Sequence, residues 1–182
     1  MLPEEAKLLA SLLIPQIEIE HGVTSKVIGA IPVGQADYQP HPKSWRAVDL
    51  AWHIVSTECT FLNAVALGKF IEGSGQRSPI VDSPDSVLGW YERRFSDSFD
   101  SVRALSPEEF AQPIAFHNTF EKPAVVYLHL LLCHSAHHRG QLHSYLQSMG
   151  VEPPRIYGDG PDEPSHPWTP AQRGTQRSRL VL

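Results

Sequence analysis

The chain has 182 residues, 41% hydrophobic and 19% charged, which suits one ordinary globular domain that buries roughly 70% of its unfolded surface. Its net charge of -5 leaves no basic stripe to displace counterions from phosphates, and only Arg93-Arg94 and the region 173–179 are locally basic, so nucleic acid is not the expected partner. The short apolar run near the N-terminus follows Glu4 and Glu5 rather than a basic segment and reads as neither signal peptide nor membrane span; with no disulfide framework in two cysteines, a cytoplasmic location is the default expectation.

Residues 6–31 carry helical spacing, with a break or bend expected at Pro15. The segment 32–44 is too rich in Pro and polar residues to continue that helix. Ser44 stands where an N-cap would, which starts a second helix at Trp45 and carries it to about Phe70. The loop EGSGQRSP follows, and Ser83 with Pro84 opens a third helix whose apolar stripe is Leu88, Tyr91, Phe95, Phe99 and Val102. Ser106 and Glu109 form a capping box for a further short turn. The stretch 111–123 is irregular, with room for a short extended excursion, and Pro123 opens a last long helix that stops at Gly150. No strand alternation extends far enough to build a sheet, so the expected fold is all-α, a four-helix bundle over a single domain, residues 1–165. The Pro- and Gly-rich segment after Gly150 is an extended tail, with residues 166–182 weakly held.

The last helix carries the chemistry. At 3.6 residues per turn, His134 and His138 fall on nearly one line with Tyr127, Leu131, Gln141 and Tyr145, while His129 and His143 point the opposite way. Two inward imidazoles one turn apart are what one helix can offer a metal. A third inward histidine is available on the second helix, whose seam runs Arg46, Leu50, His53, Thr57 and Ala64, with Asp49 and Phe61 at its borders. A lone histidine on such a seam is more often a core residue with a hydrogen-bond partner; three on two seams form a specific pattern. Cys59 and Cys133 lie off these seams and read as small buried hydrophobes rather than ligands.

Residues 37–58 (DYQPHPKSWRAVDLAWHIVSTE), 134–150 (HSAHHRGQLHSYLQSMG) and 156–163 (IYGDGPDE) together resemble the DinB-like superfamily, and the resemblance covers roughly 16–165. It implies a four-helix bundle, often a homodimer, with a divalent metal held by three histidines, here His53, His134 and His138. Members with an assigned chemistry are metal-dependent transferases or isomerases that use a low-molecular-weight thiol.

Three neutral imidazoles leave a divalent ion its full charge and an open coordination position, which is the catalytic rather than the structural pattern. Zinc or nickel suits imidazole. Such an ion activates either a water or a thiol cosubstrate, for transfer or hydrolysis on a small-molecule substrate. The competing expectation is a non-catalytic, stress-response metal-binding module whose ion mainly staples the bundle. Gln141 on the histidine seam is either a partner of a metal-bound water or substrate, or a core amide bonded to another helix. Asp49, one turn before His53, either orients an imidazole or is a solvated helix-face residue or an ion-pair partner; His137 borders the seam as a surface residue or one that supports a ligand. Thr57 reads as a structural hydroxyl, and Arg139 as the partner of a carboxylate on a neighbouring helix more readily than of an anionic substrate. In the tail, Asp159, Asp162 and Glu163 are either turn formers or close to the metal mouth. No carboxylate shares the seam, and no residue is assigned as a catalytic general base.

Overall fold

The structure, a computed structural model, describes residues 1–117 and 119–157. The weakly held tail and Asp159, Asp162 and Glu163 lie outside the described residues. Four long helices form the body: α1 (Pro3–Gly29), α2 (Ala47–Leu67), α3 (Pro84–Arg103) and α5 (Ala124–Ser148), with a short α4 (Pro107–Ala111) between the last two. Around the bundle α1 packs on α3 and α5, and α2 packs on the same two, so α1 and α2 face each other diagonally.

Helix α1 is continuous through Pro15, contrary to the expected break. Pro15 and Ser11 are both exposed, so water can take the Ser11 carbonyl that a proline leaves without its helical donor. Helix α2 begins at Ala47 with Arg46 as its N-cap, two residues later than Ser44 implied, and ends at Gly68 in the left-handed region with φ 67°. The left-handed backbone is what favours glycine at this stop; an added Cβ would also displace the end of the Gln112 side chain, 2.5 Å away. Although α2 is long and apolar enough to cross a bilayer, its apolar residues, among them Leu50, Ile54, Val55 and Leu62, are core. Helix α3 starts as expected, with the Ser83 hydroxyl accepting from Ser86 N and Pro84 in the first turn, and the Ser106–Glu109 capping box opens α4.

The stretch expected to be irregular is an antiparallel hairpin, β1 (Pro113–Phe116) and β2 (Phe120–Pro123), paired Phe116 with Phe120. Each strand is four residues long, too short to show an alternation, and only Ile114 is buried. The Tyr127 hydroxyl of α5 donates to the Ile114 carbonyl at 2.6 Å and ties the hairpin to the bundle.

A polar network crosses the apolar core and draws on all four long helices. Arg139 of α5, 1% exposed, donates to the Glu20 carboxylate, to the Glu20 carbonyl at 3.0 Å and to Thr24 Oγ1 at 3.0 Å on α1, and to Tyr157 Oη at 2.7 Å. Tyr157 in turn donates to Glu20 at 2.7 Å. Thr24 donates across the diagonal to Glu58 of α2 at 3.1 Å, and Tyr91 of α3 donates to the other Glu58 oxygen. Burial pushes the Glu58 carboxyl up, against the opposing pull of the Tyr91 hydrogen bond and the Arg139 charge. Removing one partner of such a pair strands the rest in low dielectric. Arg139→Ala is therefore expected to lower stability by about 3–5 kcal/mol, read as a drop in the denaturant midpoint; a change below about 1 kcal/mol would show that the network holds nothing together.

Candidate metal centre

Consecutive residues on a helix point about 100° apart, and α5 uses this to face two neighbours at once. Arg139 reaches α1, while His134 and His138, one step behind it on the wheel, reach α2 and meet His53. The His53 and His134 Nε2 atoms are 3.0 Å apart, the three ring centroids are 4.5–4.8 Å from one another, and one ligand nitrogen from each lies within 4.8 Å of the other two. Nitrogens bound to one zinc ion at ~2.0–2.1 Å are ~2.8–3.4 Å apart for angles between octahedral and tetrahedral, so the His53–His134 spacing suits a shared ion.

The donor set fits a metal in protonation as well. Burial and the neighbouring His138 hold His53 below the usual imidazole range; burial and the imidazoles of His138, His53 and His137 push His134 down to about 4. All the pressure is toward neutral, ligating imidazole. His134 Nδ1 is buried with no hydrogen-bond partner among the described residues. His138 is better supported: its Nδ1 lies 3.1 Å from Gln141 Oε1, which fixes Nδ1 as the protonated nitrogen and leaves Nε2 with the free lone pair.

The other residues singled out from the sequence take different roles. Gln141 supports His138 within its own helix, with its amide nitrogen 3.5 Å from the Tyr145 hydroxyl, rather than bonding another helix. Asp49 is engaged by arginines: Arg46 donates to both oxygens at 2.6 and 2.8 Å, and Arg77 donates at 2.5 Å. The Arg46 hydrogen bonds, with Arg77 adding, hold its carboxyl below the usual carboxylate range. This pairing pins the loop after α2 across the start of that helix. His137 is exposed, its ring 4.8 Å from that of His138. Cys59 is buried, as expected of a small hydrophobe, but Cys133 is exposed, with Sγ 3.5 Å from His129 Nε2 on the outer face of α5.

A cleft of about 450 Å³ opens directly against His53 and His134. Thr57, expected to be structural, lines it with Ser56, Thr60 and Ser74 as a hydroxyl wall; Phe61, Phe70 and Phe116 make the apolar wall. The loop is held over α2 by Trp52 Nε1 donating to the Gly75 carbonyl at 3.3 Å and by the Thr60–Ser74 hydroxyl contact at 3.3 Å. Trp45 lies outside the helix it was expected to begin, with its ring 4.5 Å from His53 and stacked at 5.9 Å on His138. It is not among the residues that line the cleft. Its signal in the sequence was a large apolar residue beside a helix start, which gives no direction. His117 at the hairpin tip also lines the cleft.

These imidazoles make the metal-free protein sensitive to acid. Below about pH 6.5 the unfolded chain binds a proton that folded His134 refuses until about pH 4, so stability falls as the pH drops through that window, and His53 adds in the same direction. Denaturant midpoints of chelator-treated protein should decline between about pH 7 and about pH 5, and less steeply in His134→Gln. An equal decline in the two proteins would show that His134 titrates normally.

The fold is shared with solved structures of DinB-like proteins. One from Bacillus subtilis aligns with a TM-score of 0.66 at 20% identity, covering 82% of this chain and 99% of that one. Another from Bacillus cereus aligns with a TM-score of 0.69 at 20% identity, covering 80% and 95%. No curated protein matches the sequence. The sequence matches the DinB family over residues 7–172, and with the helices, the histidine cluster and these neighbours in view, the chain belongs to the DinB family.

Proposed function

We propose that the protein is a metal-dependent enzyme acting on a small molecule, with a divalent ion held by His53, His134 and His138 and the reaction taking place in the adjoining cleft. The observation that carries this reading is the cleft itself: about 450 Å³ of space against two of the three histidines, beside a donor set to which the described residues add no fourth ligand. When bound, zinc or nickel supplies Lewis acidity that lowers the pKa of a water or a thiol cosubstrate, for hydrolysis or transfer.

The chain's own residues do the rest. Three neutral imidazoles keep the full cationic charge directed at the cleft, and Gln141 fixes the tautomer of His138. Phe61, Phe70 and Phe116 take up an apolar body, and the hydroxyls opposite orient polar groups on it. The Asp49–Arg77 pair and the Trp52–Gly75 bond hold the loop that shields this side from water.

A homodimer is part of the same proposal. Leu8, Leu12 and Ile19 fall on one face of α1 and are 64%, 66% and 62% exposed, an apolar stripe of the kind a second copy covers. The alternative function is a metal that only staples α2 to α5, the two helices that His53 and His134 bring together.

Metal analysis separates these readings. Purified protein should carry about one equivalent of zinc or nickel, His138→Ala should lose it, and chelation should lower the melting temperature while leaving a folded protein. Unfolding on metal removal would establish the staple instead. A wild type that takes up no metal after reconstitution with zinc and with nickel would return the three histidines to the core.

A further inference from the structure

The cleft has a second imidazole end. His117 is the first residue of the three-residue turn between β1 and β2, and it lines the same cleft as His53 and His134. Its ring meets Phe70, which packs on Phe61, and Phe61 lies eight residues along α2 from His53, roughly 12 Å at 1.5 Å per residue. Apart from those histidines it is the only titratable side chain among the described lining residues; Asp, Glu, Lys and Arg are absent there. Its ring rests 4.7 Å from Phe116 and 6.1 Å from Phe70, edge-on and tilted, and it makes no hydrogen bond to a described residue. The side chain is exposed, so both ring nitrogens are available at the mouth.

The backbone sets where the imidazole stands. His117 has φ 47°, the only positive φ among described non-glycine residues. Histidine, like asparagine and aspartate, adopts this left-handed conformation more readily than other residues with a Cβ. It puts the ring at the tip of the hairpin, on the lining of the cleft.

We infer that His117 is a specificity-determining residue that hydrogen-bonds the end of the substrate remote from the metal, and that the substrate is an uncharged molecule with an apolar, ring-sized body and a polar group at that end. The apolar body follows from the phenylalanine wall, and the lack of charge from the lining. The polar end follows from the position of His117. Beyond it, a surface pocket of about 560 Å³ shares His117 and Phe70 and is lined by Lys69 and Glu72, so the two rings stand at the boundary between a neutral inner space and a charged outer one. This inference rests on the metal reading above, because the metal fixes the other end of the ligand.

The test uses two probes with the same metal-binding head, benzohydroxamic acid and its 4-carbamoyl derivative, titrated calorimetrically into metal-reconstituted protein. Wild type should prefer the carbamoyl probe by about fivefold, the worth of one hydrogen bond. His117→Gly should reduce that preference to about one while changing the affinity for the parent less than about twofold, and His117→Asn, which tolerates the backbone and still hydrogen-bonds, should keep part of it. A preference unchanged in His117→Gly, a wild type without the preference, or binding of neither probe to metal-loaded protein would overturn the assignment. Metal uptake with any of these results overturns this inference alone, whereas failure to take up metal overturns the metal reading and this inference together.

Discussion

The rotation of α5 about its own axis is the constraint on which the site depends, and a buried guanidinium sets it. Arg139 cannot leave the core without stranding Glu20, Thr24 and Tyr157, and it cannot reach them from another rotation of the helix. With Arg139 turned toward α1, the preceding positions on the wheel, His134 and His138, must turn toward α2. The same network reaches Glu58, one and a half turns beyond His53 on α2, so the two helices that present the histidines are held in register by one set of hydrogen bonds. Its cost is desolvation, visible in the upward push on the Glu58 carboxyl and the Tyr91 hydroxyl. Hydrogen bonds from all four long helices offset that cost by fixing one arrangement of the bundle.

Around that frame the site is asymmetric. Trp45 packs on His53 and His138, while the cleft, lined by phenylalanines and hydroxyls, opens against His53 and His134. The cleft is built largely from connections: the loop after α2, clamped by Asp49 and Arg77, and the tip of the hairpin. Helices therefore hold the three histidines while loops shape what reaches them, the common division of labour between rigid elements and variable ones.

What the sequence disclosed follows from the range of the interactions involved. The spacing of His134 and His138, the Ser83-Pro84 start and the Ser106–Glu109 box are local, complete within one turn, and could be read directly. His53 could be read because an inward seam is a property of one helix. The contacts that settle competing local signals were not legible. Ser44 looked like a cap, but Arg46, bonded to Asp37 and Asp49, marks the start of α2 and Trp45 leaves the helix to stack on imidazoles. Asp49 lies one turn from His53, yet Arg77, 28 residues later, claims its carboxylate. Pro15 would break a buried helix, and on an exposed face it does not. The hairpin has too few residues to show a period, and the left-handed backbone of His117 leaves no trace in the sequence at all.

X-ray absorption at the metal edge of the zinc- or nickel-reconstituted protein distinguishes a metal centre held by three histidines with room for a reactant from a closed one. Three imidazole nitrogens at ~2.0–2.1 Å are expected, together with a light-atom ligand that a simple thiol such as 2-mercaptoethanol replaces with sulfur. A coordination sphere filled by four protein ligands and indifferent to the thiol would contradict it.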